Sequence, residues 1–179
     1  MKAAKIILAC LTLAICLSAQ AAVETPKHAF KHSLDQMLAE LPNVQSQLSE
    51  AESDGLKRWS GTVQVGSAAA VVQISGKDSS TITGLTVVLL STPSTNDADY
   101  ERAETLRDVL FQGLLGRGSA FNLVNNFFVE ELARQQPILL AGGKPKSTVK
   151  KIAKGTSEVR LELARAPQGL LATYAMKLL

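Results

Sequence analysis

The sequence predicts an α+β domain behind a cleavable leader: an antiparallel sheet of about five to six strands with helices packed on one face. Three observations carry that reading. Residues 1–21 have the build of an export signal. Beyond them, apolar residues recur at period two in two separate blocks, and two long stretches of helical period lie between the blocks. Runs of strands and runs of helices, rather than strict alternation, give the order α-βββ-αα-βββ.

The leader starts with Lys2 and Lys5, continues in an apolar run from Ile6 to Leu17, and ends in the small residues Ser18-Ala19-Gln20-Ala21. Such a stretch is a secretory signal peptide, cut after Ala21. Its twelve apolar residues fall short of the roughly 20 that cross a bilayer. The reading therefore expects one domain over residues 22–179, without a transmembrane span. Ile15 before Cys16 does not fit the small residue that a lipid-modified cysteine requires. Cys10 and Cys16 are the only cysteines, and both leave with the leader. The exported chain then has no disulfide and no thiol chemistry. Its 158 residues are enough to bury about 68–70 % of the unfolded surface without staples. The compact leader is of the bacterial type, which predicts a periplasmic or secreted protein.

The first helix is expected over Lys27–Leu41, with Phe30, Leu34, Met37, Leu38 and Leu41 on one stripe and Pro42 as its stop. Asn43–Asp54 offers a second short helix through Val44, Leu48 and Ala51, ended by Gly55. The period then changes. Lys57–Val65 alternates, Gly66-Ser67 turns, and Ala68–Ser75 returns with Ala70, Val72 and Ile74 on one face. After Gly76-Lys77-Asp78, Ser80–Leu90 forms a third strand. Its Leu85–Leu90 end is apolar on both faces, which places it centrally.

Asn96 or Asp97 caps a helix reaching about Leu115, with Ala103, Leu106, Leu110 and Leu114 inward. Gly116-Arg117-Gly118 separates it from a second helix, Ser119–Gln136, stopped by Pro137. A connector follows to Pro145. The last block reads as strands Thr148–Ala153, Glu158–Ala164 and Leu170–Leu178, the final pair joined through Pro167-Gln168-Gly169.

Charge divides the chain. The whole sequence carries 19 Lys and Arg against 16 Asp and Glu, net +3. Loss of the leader brings this to +1; residues 22–140 then hold −5 and residues 141–179 hold +6. The basic end concentrates Lys144, Lys146, Lys150, Lys151 and Lys154 within eleven residues. These are the candidate partner-binding residues, fitted to an envelope protein, or to a lipid or other anionic surface. A lysine-rich edge strand also guards a sheet against aggregation. Asp97, Glu101, Glu104 and Asp108 line one helix face and offer a salt-bridging surface to a basic partner or to the lysines themselves. Nucleic acid is excluded by the compartment and by an aromatic content of 4 %.

Catalytic signatures are sparse. His28, His32 and Asp35 share one face of the expected first helix and are weak candidates for zinc or copper, as the acidic face of Asp97, Glu101, Glu104 and Asp108 is for calcium, but the histidine face is solvated and a catalytic site wants fixed ligands with a second shell. Ser147-Thr148-Val149-Lys150 matches S-x-x-K, without the companion motifs and on a strand. Gly142-Gly143-Lys144 lacks phosphate-loop spacing. Phe121, Val124 and Phe128 could line a groove between helix and sheet. These features predict a non-enzymatic binding or accessory protein that acts on an envelope protein partner, with no cofactor and no catalytic residue. The alternative is a carrier of a small hydrophobic ligand or lipid held between helices and sheet. A metal-assisted hydrolase is third.

Overall fold

The computed structural model describes residues 33–152 and 157–178. The expected leader, both histidines and Lys154 lie outside them.

Helix α1, Leu34–Leu38, starts at Ser33, whose extended backbone (φ −72°, ψ 157°) makes it a cap rather than a helical residue. Its hydroxyl accepts from the Gln36 N–H at 3.2 Å, and the Gln36 side chain accepts from the Ser33 N–H at 3.2 Å. This capping box satisfies two amides that no helical carbonyl can reach. A helix running unbroken from Lys27 to Leu41 is therefore corrected. Pro42 does not stop α1 but opens α2, Pro42–Gln45, where its missing N–H costs nothing.

The expected second helix does not continue to Asp54. Its later part is strand β1, Ser49–Ser53, joined to β2, Leu56–Val65, through Asp54-Gly55. Both turn residues have positive φ, 56° and 72°, as a two-residue hairpin of the twist-matching kind demands. Strands β3, Ala68–Asp78, and β4, Thr81–Ser91, complete a meander. Helices α3, Asp97–Leu115, and α4, Ser119–Leu140, follow, then β5, Thr148–Ile152, β6, Ser157–Ala166, and β7, Gly169–Leu178.

The strands form one antiparallel sheet in the order β1-β2-β3-β4-β7-β6-β5. Among the described residues the count is seven, not five or six, and the added strand is β1. β4 lies at the centre, as its two apolar faces require. It is also the seam between the halves of the chain, since Gly84–Ser91 pair with Leu170–Lys177. Register aligns the core in rows across the sheet. Ile74, Leu85, Met176 and Val159 form one row, and Val72, Val87, Tyr174 and Leu161 the next. All eight side chains are buried. The other face presents exposed Thr62, Gln73 and Arg160.

Helix packing also departs from the simple layer. α3 lies against β2, β3 and β4, and α4 against β6 and β5, but α1 packs on α3 and not chiefly on the sheet. The crossing is close. A Cβ on Gly113 of α3 would stand 2.5 Å from the Met37 carbonyl oxygen, so only glycine lets α1 approach. α4 passes through Pro137 and ends at Leu140, four residues beyond the expected stop. Pro137 and Ala133 are exposed, so water can take the Ala133 carbonyl that the missing proline N–H leaves unbonded. Among the described residues no helix is long and apolar enough to cross a membrane.

Candidate functional site

The lysine-bearing end of the chain is positioned by α4. Val124, Phe128, Glu131, Gln135 and Leu139 recur at helical spacing and are all buried. Two of these five are polar, and they hold the helix to the sheet. Gln135 Nε2 donates to the Leu161 carbonyl at 2.8 Å, and its Oε1 accepts from the Leu163 N–H at 2.9 Å. Strand β5 begins opposite Leu161 and leaves the rest of β6 uncovered. The Gln135 amide therefore takes the place of a strand peptide where β5 has not started. Gln135 also donates to Glu131 Oε2 at 3.0 Å. Arg134 Nη2 meets that same oxygen at 2.6 Å, then donates to the Lys146 carbonyl at 2.6 Å and the Thr148 hydroxyl at 2.9 Å. The Arg134 bond, followed by that from Gln135, holds the Glu131 carboxyl below the usual carboxylate range against the opposing effect of burial. This cluster fixes the connector and the first residue of β5. Sequence reasoning missed it, although a Glu and a Gln on an apolar stripe are its visible signal.

Of the five candidate lysines, the four described do not form one patch. Lys144 and Lys146 are exposed on the connector, and Lys150 and Lys151 are exposed on β5. The strand alternates, so the last two lie on opposite faces. Lys150 Nζ stands 5.7 Å from the centre of the Phe127 ring on the helix side, a contact worth about 0.5–1 kcal/mol where solvent reaches it. Lys151 faces Glu158 across the strand pair at 3.9 Å. Exposed apolar side chains accompany them: Ile138 at 40 %, Leu140 at 50 % and Val149 at 55 %.

The ion pairs of the acidic face of α3 are with Arg107 and not with the four described lysines. Glu104 and Asp108 pair with Arg107, at 3.5 and 2.7 Å, leaving Asp97 and Glu101 exposed. Arg107 is buried and its guanidinium lies 4.5 Å from the Tyr174 ring centre. Burial works against its charge, yet Tyr174, Asp108 and Glu104 hold its pKa above the ordinary arginine range. At the start of α3, Asp99 Oδ2 accepts from the Ser67 N–H and hydroxyl, each at 2.8 Å, and latches the β2–β3 turn to the helix. Those Ser67 bonds, with Asn96 and Arg102, keep the Asp99 carboxyl below its usual range.

Of the groove candidates, Val124 and Phe128 are buried and Phe121 is partly buried against the core. Phe128 meets Phe111 edge-on at 5.2 Å and Tyr174 at 5.1 Å, so it packs as core. Asp35 accepts from Gln45 Nε2 at 3.2 Å. Its expected helical alignment with His28 and His32 required a helix through residue 33, and the extended Ser33 removes that premise. In the S-x-x-K match, the Ser147 hydroxyl is buried and Lys150 is directed to Phe127.

Fold and site together define an α+β domain built on a seven-stranded antiparallel sheet, with a basic edge. No protein-family model, no curated protein and no solved structure matches the chain.

Proposed function

We propose that the chain is an exported, non-enzymatic binding or accessory protein that engages an acidic partner in the cell envelope through the edge strand β5. One observation carries this reading. β5 is an outermost strand of the sheet, four of its five residues are exposed, and it offers a lysine on each face. An exposed strand edge can accept a further strand from a partner, with main-chain bonds giving affinity and side chains giving selectivity. Lys150 and Lys151 select a partner segment rich in Asp and Glu. The buried polar groups support the same reading. Arg107, Glu131 and Gln135 are each committed to holding the fold.

Titration with an acidic peptide, followed residue by residue by NMR, tests the proposal. The expected shifts concentrate on Thr148–Ile152, and Lys150→Gln with Lys151→Gln weakens the binding. Shifts confined elsewhere, or equal binding by the double variant, overturn the assignment. Native mass spectrometry of protein isolated from its host separates the carrier reading, which requires a retained lipid.

A further inference from the structure

We propose that the carboxy-terminal tip of α4, together with the connector behind it, docks on an anionic phospholipid leaflet. The tip is the run Pro137-Ile138-Leu139-Leu140-Ala141. Leu139 is buried and anchors it, whereas Ile138 and Leu140 project into solvent, 40 % and 50 % exposed. Lys144 and Lys146 follow at once. From Leu132 to Ser157 the chain has no acidic residue and six basic ones. An apolar apex with a collar of one charge matches a surface whose hydrocarbon lies just beneath anionic headgroups.

The backbone is already prepared to leave water. A helix end normally carries carbonyls without partners, and their desolvation opposes insertion. Here the chain folds back on itself. The Ala141, Gly142 and Gly143 amides donate to the carbonyls of Pro137, Leu139 and Ile138 at 3.0, 3.1 and 2.9 Å. Arg165 Nη2 adds a bond to the Leu139 carbonyl at 3.0 Å. Gly142 has φ 83°, a conformation that suits glycine in such a reversal. The side chain of Ile138 packs against Gly143, where a Cβ would stand 2.9 Å from its Cγ2. Arg134 fixes the Lys146 carbonyl, so the collar is held in place behind the apex. The tip is ordered before it binds, and little entropy remains to be lost on docking.

The inference rests on the proposed function only for the envelope compartment, because it uses Ile138, Leu140, Lys144 and Lys146 and not the β5 edge. The exported protein, its amino terminus read by mass spectrometry, is mixed with phosphatidylglycerol-containing vesicles and with pure phosphatidylcholine vesicles. Sedimentation then measures binding. The expected result is binding to the anionic vesicles alone, weakened by salt. Lys144→Gln with Lys146→Gln lowers affinity by about 25-fold, at about fivefold for each lysine near an anionic surface. Ile138→Ser with Leu140→Ser lowers it by about tenfold or more. All four side chains are exposed, and matched thermal melts check that the variants fold. Absence of vesicle binding overturns the proposal. So does binding that the serine variant leaves intact, which would be adsorption by charge alone. Lys150→Gln with Lys151→Gln separates the two readings: it should weaken the acidic peptide and spare vesicle binding, so unchanged peptide binding overturns the β5 reading alone and lost vesicle binding overturns this one alone.

Discussion

Replacing Gln135 by leucine keeps nearly the same volume and deletes one amide. In the native protein that amide is fully buried and makes bonds of 2.8 and 2.9 Å to the Leu161 carbonyl and the Leu163 N–H. The variant leaves both main-chain groups without a partner at a site that a leucine side chain keeps dry. Each such orphan costs about 1–3 kcal/mol. Leucine returns about 1 kcal/mol through its extra apolar surface, and Glu131 keeps Arg134 as a partner. With the middle of that range for each orphan, the net loss is about 3 kcal/mol. For a chain of this length each kcal/mol moves the melting temperature by about 2–4 °C, so a fall of about 6–12 °C is expected in calorimetry. Hydrogen exchange supplies the local readout, because the Leu163 amide should lose its protection more than those of β4. A melting temperature within about 2 °C of the native value, with Leu163 still protected, would refute the account of Gln135 as a substitute strand peptide.

Two other perturbations test the frame around the site. Gly113→Ala puts a methyl group against the Met37 carbonyl and should destabilise the protein by about 1–3 kcal/mol through displacement of α1; denaturant unfolding measures it, and an unchanged midpoint would contradict the close crossing. Asp99→Asn tests the latch on the β2–β3 turn through pH. Because the folded protein holds the Asp99 carboxyl below its usual range, its contribution is complete above the unfolded value of about 4 and is lost as acid approaches the folded value. Denaturation midpoints of the native protein and the Asp99→Asn variant should therefore differ most at neutral pH and converge in acid, and a constant gap would show that Asp99 does not carry this dependence.

The β2–β4 meander was legible because alternation and burial coincide. Val63, Ala70, Val72 and Ile74 face the core at every second position, and the doubly apolar Leu85–Leu90 could only be central. β1 was not legible in this way. Its five residues are all exposed, so Ser-Glu-Ala-Glu-Ser has no apolar face to reveal its period, and only Asp54-Gly55 marks the hairpin. Pro137 misled for a related reason. A proline rule describes the cost to a helix interior, whereas here the freed carbonyl faces water. In the candidate site, the lysine cluster was visible by composition, but alternation sends Lys150 to the helix side and Lys151 to the other. The anchors were harder still. Glu131 and Gln135 show their purpose only once the uncovered edge of β6 is known.

The seam between β4 and β7 has a consequence for the order of assembly. Within β1–β4, and again within β5–β7, each strand pairs with its neighbours in sequence. Each block is a product of local hairpins, which form early. Joining them requires Gly84–Ser91 to meet Leu170–Lys177 after both long helices have been made. A chain emerging from its amino terminus thus displays the bare edge of β4 until Gly169–Leu178 arrive. That interval is when an unpaired edge recruits the wrong strand. The protein's exposure to aggregation is concentrated in the passage between the β1–β4 meander and β7, and truncations within β7 would prolong it.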